Sequence, residues 1–176
     1  MKINSESRIH HPLSEVYGVY RDRLPEIATY IPDIREIQVL SRTPGQDGPV
    51  IHNLWIADRE PPKMLQGIVK REMLRWNDYA NWNDAEHYVA WRIEIPAFRD
   101  QVTCSGRNSF YAAGPSSTRV VLSGDLEIRL SGVPGVPGFM ARRLTPKVEE
   151  FIVRLVTPNL ARVNQSLQRF MDDAQS

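Results

Sequence analysis

With 22 Lys and Arg balanced by 21 Asp and Glu, this 176-residue chain has a formal net charge of +1 and no basic stripe with interleaved aromatics, which excludes an electrostatic nucleic-acid footprint. Cys104 is the only cysteine, so neither an internal disulfide nor a cysteine-based zinc site can form, and a reducing compartment fits. The opening stretch Met1 to Arg8 has no apolar h-region, and nowhere do the roughly 18 consecutive apolar residues of a membrane span occur. The expectation is a soluble cytoplasmic protein, without stable membrane insertion, forming one domain over residues 1–176.

Lys2 to His10 alternates weakly, with Ile3, Ser5, Ser7 and Ile9 on one face, and predicts a first strand that Pro12 ends. Leu13, Val16, Tyr17 and Tyr20 have helical spacing, and Pro25 and Pro32 mark out a second short helix around Glu26 to Ile31. Ile34 to Arg42 and Val50 to Ala57 read as a hairpin joined by the dense turn Pro44 to Pro49. Pro61-Pro62 ends it, and Lys63 to Lys70 fits either a short helix or an irregular strand. Four further strands follow, Met73 to Tyr79, Glu86 to Ile95, Val102 to Ala113 and Thr118 to Leu130, with turns at Asn81 to Asp84, Pro96 to Asp100 and Gly114 to Ser117.

Side-chain period sorts these strands into faces. In the last one Val120, Leu122, Gly124, Leu126, Ile128 and Leu130 oppose Arg119, Ser123, Asp125, Glu127 and Arg129; in the one before, Val102, Cys104, Gly106, Asn108, Phe110 and Ala112 point inward. His87, Val89, Trp91, Ile93 and Ile95 share a face in the preceding strand. One-sided strands joined by short turns predict an antiparallel sheet with a single buried face, which needs a cover.

The cover is the run from Leu144 to Met171, the only long amphipathic helix in the sequence. Thr145 fits its N-cap and Pro146 its first helical position. Val148, Phe151, Ile152, Leu155 and Val156 form one stripe, and Leu160, Val163, Leu167, Phe170 and Met171 a second, with Pro158 at the joint. The reading is one bent helix of roughly 40 Å.

This order of elements, the opening His11-Pro12-Leu13-Ser14-Glu15-Val16-Tyr17, the stretches Trp76-Asn-Asp78 and Trp82 to Trp91, the Gly/Pro loop from Ser131 to Gly138 and the final helix together resemble the START-like, or Bet v 1-like, helix-grip superfamily (SRPBCC). The resemblance covers nearly the whole chain. It implies an α+β helix-grip fold, a curved seven-stranded antiparallel sheet with two short helices and one long C-terminal helix over an internal cavity. Members bind lipids, sterols, polyketides, quinones or plant hormones, and some are cyclase/aromatases or co-chaperone activators. The superfamily has no universal catalytic motif, and Pro61-Pro62 with the segment to residue 71 departs from its pattern.

No hydrolytic triad or metal-ligand spacing is present, so no catalytic residue, metal or cofactor is expected. His10-His11 reads as an exposed junction. His87 is either a hydrogen-bonded core histidine or a polar group in a pocket, and Asn108, a buried amide, contacts ligand or water or pairs with another side chain. Gly106 and Gly124 mark sheet curvature or a close approach. The four tryptophans read as core more than as ligand stackers, with Trp76 and Trp82 flanking an exposed polar turn. The candidate ligand-binding residues are His87, Trp91, Asn108, Phe110, Leu122, Gly124, Leu126, Phe151 and Leu155, with the cavity between Phe151, Leu155 and the strand residues Leu122, Gly124 and Leu126. The expected function is binding, for carriage or sensing, of a small hydrophobic or lipid-like ligand. The runner-up is a cyclase/aromatase-type enzyme in which His87 or Asn108 assists proton transfer. A third reading is a protein-interaction module on the outer sheet face, against which the outward charges of the last strand argue.

Overall fold

Side chains that alternate in and out with a period of two give this chain one sheet with one buried face. The computed structural model describes residues 1–129 and 136–174. Its strands are β1 (Lys2–Ile9), β2 (Ile34–Pro44), β3 (Pro49–Ala57), β4 (Arg75–Asn83), β5 (Tyr88–Glu94), β6 (Val102–Gly114) and β7 (Ser117–Ile128), in the order β1-β7-β6-β5-β4-β3-β2 and antiparallel throughout. Strands β1 and β2 are therefore the two edges of an open sheet. Between them α1 (Leu13–Asp22), α2 (Leu24–Ile27) and a 3₁₀ turn at Ala28–Tyr30 carry the chain from one edge to the other. Val16, Tyr17, Tyr20, Leu24 and Ile27 bury the inner side of that passage.

The cover is α3 (Gly138–Ala174), 37 residues and so about 55 Å long. It starts upstream of Thr145, which does not cap it: the Thr145 hydroxyl donates back to the carbonyl of Ala141 at 2.9 Å, and Pro146 lies inside the helix. Both apolar stripes are buried, apart from the half-buried Leu160. Pro158 leaves the carbonyl of Arg154 without its helical donor, and the Arg59 guanidinium reaches that oxygen at 3.4 Å. Leu130 and the loop at 131–135 lie outside the described residues.

The segment left open between a short helix and an irregular strand is helical, and three other local expectations are corrected. Residues 63–73 form two 3₁₀ turns, Lys63–Leu65 and Arg71–Met73, pinned by the buried Leu65 and Val69. Strand β4 runs on through Trp82, so Trp76 and Trp82 are core residues at 2% and 5% exposure and flank no turn. The turn comes later, where the Asn83 side-chain oxygen accepts the Glu86 N–H at 2.7 Å and His87 takes a φ of 52°. His87 therefore precedes β5, and its ring packs edge-on to Tyr17 of α1, which also packs on Trp82 and Phe110. The His10-His11 junction is not exposed as a pair either, since His11 is buried with Nε2 2.8 Å from Asp172 Oδ1 at the end of α3.

Gly106 and Gly124 face each other across β6 and β7. A Cβ on Gly106 would stand 2.5 Å from Trp91 Cζ2, and one on Gly124 2.8 Å from Trp91 Cη2. The glycine pair is thus a slot in which the Trp91 indole lies against the sheet. Gly106→Ala should lift the indole and cost about 1 to 3 kcal/mol through overpacking. A urea titration read by tryptophan emission checks this, and an unchanged midpoint with an unshifted spectrum would contradict the slot.

Candidate functional site

The inner face of the middle strands carries an unusual mixture of indoles and polar groups. Alternation on β3 turns Ile51, Asn53 and Trp55 inward, and on β4 it does the same for Trp76, Asp78, Ala80 and Trp82. Trp91 from β5 and Asn108 from β6 extend the wall, while Tyr20 and Arg21 of α1 and Val156, Asn159, Leu160 and Val163 of α3 close it. All four tryptophans of the chain line this one cavity. Its volume is about 30 Å³, room for about two water molecules. Arg21 and Leu160 are the two helix residues of the lining that stay partly exposed, which places the mouth between α1 and α3.

Two hydrogen-bonded strings cross the wall. Trp91 Nε1 donates to Asn108 Oδ1 at 3.0 Å, and Asn108 Nδ2 donates to the Tyr20 hydroxyl at 3.0 Å, all within the core. Asn53 and Asp78 are direct partners across β3 and β4, and Asn53 Nδ2 donates to Asp78 Oδ2 at 3.2 Å; Trp55 Nε1 approaches the same oxygen at 3.4 Å. The neighbouring register pair, Trp55 and Trp76, stacks with ring centres 5.6 Å apart. At the mouth Arg21 binds Asp22 and Asp84 at 2.8 Å each, and Arg42 from the β2–β3 hairpin binds Asp22 at 2.8 Å.

Burial pushes the Asp78 carboxyl up to about 6, outweighing the bonds from Asn53 and Trp55 and the charge of His52, which pull the other way. Burial also raises the Tyr20 hydroxyl above its ordinary value, and the negative charge of Asp78 adds to the rise. Two acceptors are left over: Asn53 Oδ1 and Asn159 Oδ1 are buried with no partner in the protein. Asn159 Nδ2 donates to the carbonyl of Leu155 at 2.7 Å, which leaves the oxygen for the cavity. Each such orphan costs about 1 to 3 kcal/mol.

Of the nine positions singled out from the sequence, Trp91 and Asn108 line this cavity. Phe110 sits just behind it against Tyr20, with ring centres 5.5 Å apart. Leu122 and Leu126 on β7, with Phe151 and Leu155 of the first α3 stripe, are buried core residues outside the lining, and Gly124 lies under the Trp91 ring. His87 packs edge-on to Tyr17 at 5.1 Å, away from the lining. The cavity is therefore displaced from Leu122, Gly124 and Leu126 toward β3 to β5 and the second half of α3, because the Trp91 indole fills the glycine slot. Tyr20, Asn53, Asp78 and Asn159 were missed. Their signal was present for the strands, since Asn53 and Asp78 keep the period of Ile51, Trp55, Trp76 and Ala80. Among the described residues no cluster of three or more His, Cys, Asp or Glu is placed to hold a metal, and no helix is long and apolar enough to cross a membrane.

No family model and no curated protein matches the chain. Solved structures do. The crystal structure of TTHA0849 from Thermus thermophilus superposes with a TM-score of 0.70 at 20% identity, covering 100% of both chains. The Zhui aromatase/cyclase from Streptomyces sp. R1128 gives 0.63 at 18% identity over 99% of this chain and 95% of that one. A START superfamily protein from Mycobacterium smegmatis gives 0.52 at 18% identity over 93% and 97%. The fold is the START-like, Bet v 1-like helix grip. Norcoclaurine synthase from Thalictrum flavum, solved with dopamine and hydroxybenzaldehyde, shares this helix grip at a TM-score of 0.61 and 11% identity over 100% of this chain and 88% of that one.

Within this helix grip, Asp78 is held against stability. Its carboxyl titrates near 6 in the folded chain and at about 3.8 when exposed, so between those values the native state binds more protons than the unfolded one and stability falls as pH rises. Above about pH 6 the full penalty stands, on the order of 3 kcal/mol. Asp78→Asn should therefore raise the denaturant midpoint at pH 7.5 and give little gain below about pH 4. Equal midpoints for the two proteins at neutral pH would show that the carboxylate is not penalised.

Proposed function

We propose that this helix grip binds a small hydrophobic ligand in the indole-walled cavity between β3 to β6 and the second half of α3, for carriage or sensing. The observation that carries the reading is the convergence of all four tryptophans on a space that also holds buried acceptors without donors. A core selected only for stability fills such a space with aliphatic side chains and pairs its amides. Here two amide oxygens and a penalised carboxylate are retained instead, a pattern typical of ligand sites. The ligand needs more than the present 30 Å³, and the mouth supplies it by outward motion of Leu160 and Arg21. The ion pairs of Arg21 lie near solvent and resist that motion by about 1 kcal/mol or less each. A neighbour of the same fold solved with dopamine and hydroxybenzaldehyde, and another that is an aromatase/cyclase, support a small organic ligand.

A second reading, an aromatase/cyclase-type enzyme in the same cavity, is favoured by one observation. Asp78, titrating near 6 beside Tyr20, is suited to accept a proton at neutral pH. That role fits neither Asn108, whose amide is committed to Trp91 and Tyr20, nor His87 in its turn. Turnover abolished by Asp78→Asn with binding retained would distinguish the enzyme from the carrier.

Binding itself is checked with N-phenyl-1-naphthylamine, a neutral dye that brightens in apolar surroundings. The unmodified protein should take it up saturably. Ala80→Leu adds three carbons to the cavity wall and should abolish uptake while costing no more than about 1 to 3 kcal/mol of stability. Absence of uptake by the unmodified protein, or full uptake by the variant, would remove the basis for this site.

A further inference from the structure

We infer that the ligand of this cavity carries a protonated amine, received by the Asp78 carboxylate and the side-chain oxygens of Asn53 and Asn159 against the faces of the indoles. The inference rests on the binding function proposed above and narrows it to a chemical class. It follows from matching donors to acceptors along the polar wall. Five donors of that wall are engaged within the protein: Trp91 with Asn108, Asn108 with Tyr20, Asn53 and Trp55 with Asp78, and Asn159 with the carbonyl of Leu155. Acceptors remain. Asn53 Oδ1 and Asn159 Oδ1 have no partner in the protein, and both bonds to Asp78 end on a single oxygen, Oδ2, of a carboxylate that has about four lone-pair sites.

A ligand whose polar end only accepts, such as a carboxylate, ketone or quinone, would meet oxygen against oxygen at these three groups. An alkylammonium group offers three N–H donors and no acceptor, which matches two amide oxygens and one carboxylate. Charge points the same way. Asp78 is the only acidic residue among the lining residues, and the only cation there, Arg21, is already bound to Asp22 and Asp84 at the mouth. The surface that α3 adds, Val156, Asn159, Leu160 and Val163, has no charge. The remaining ionisable neighbours of Asp78 are Tyr20 on α1, Cys104 on β6 and His52 on the outer face of β3, where the imidazole bonds Asn77 and stacks on Tyr79. Indole is the side chain whose face best attracts a cation, and this cavity has four. An ammonium ion would also neutralise the desolvated carboxylate, so the penalty that Asp78 imposes on the empty protein is relieved on binding.

Three probes of one shape separate this inference from the reading it rests on: 2-phenylethylamine, which is cationic, n-propylbenzene, which is neutral, and 3-phenylpropanoate, which is anionic. Tryptophan emission excited beyond the absorption of the phenyl ring reports on the site directly. At pH 7.5 the amine should bind about tenfold or more tighter than propylbenzene, and the propanoate weakest of the three. Lowering the pH to about 5 should erode the preference for the amine as Asp78 gains a proton. Asp78→Asn, verified as folded by circular dichroism, should reduce the ratio of amine to propylbenzene affinity to less than about threefold. Propylbenzene or the propanoate binding as tightly as the amine, or an amine preference that survives Asp78→Asn, overturns the inference and leaves hydrophobic binding standing. Failure of all three probes together with the naphthylamine dye overturns the binding function itself.

Discussion

An antiparallel sheet with one apolar face must have that face covered along its whole width, and here the covering falls to α3. The helix does so with two stripes of different direction, and both are buried. Two prolines within it would normally weaken so long a helix. What offsets this is outside the helix: the buried stripes pack on the sheet, and Arg59, from the segment after β3, supplies a donor to the carbonyl that Pro158 leaves open. Tertiary contact, more than helix propensity, keeps this element in one piece.

The same covering decides where space is left. Toward β7 the helix closes down completely, with Leu122 at 1% and Leu155 at 2% exposure. Toward β3 and β4 the indoles, with Val156, Leu160 and Val163 of α3, line a space that the packing leaves open. Trp91 stands between these regions. Its ring fits the slot made by Gly106 and Gly124, and its N–H is tied through Asn108 to Tyr20, so β5, β6 and α1 are held in register by a single buried string. Two glycines that would weaken a strand are thereby stabilising, because the aromatic packing they permit is larger than the propensity they lose.

Much of this was legible in the sequence. The period of two in β7 and β6 is long and clean enough to define inner and outer faces, and the chain order of strands and helices carried the helix-grip resemblance. Boundaries failed where a local signal competed with a tertiary one. Thr145-Pro146 has the chemistry of a helix start, and the turn before it buries only Ala141 while Phe139 and Met140 stay exposed, so no apolar stripe announced the extra length. Asn81, Asn83 and Asp84 looked like a turn around Trp82, although only the residues after Asn83 form one. The site was the least legible part. Asn53 and Asp78 lie in the right phase, but which strands become neighbours decides that they meet, and that information is not local.

Residues 158 and 159 connect the helix problem to the site. Pro158 removes one backbone donor from the ladder, and directly after it Asn159 turns its own amide N–H back onto the carbonyl of Leu155. That back-bond commits the side-chain N–H to a helix carbonyl and leaves the side-chain oxygen in the cavity wall without a partner. A leucine there would have continued the apolar stripe and filled the space. The departure from ideal helix chemistry therefore coincides with the polar edge of the cavity, and the acceptor it exposes shares that cavity with Asp78 and Asn53. Stability is lost at one place to a proline, an orphan amide oxygen and a desolvated carboxylate, while the glycine slot and the α3 stripes elsewhere are packed tightly enough to sustain it.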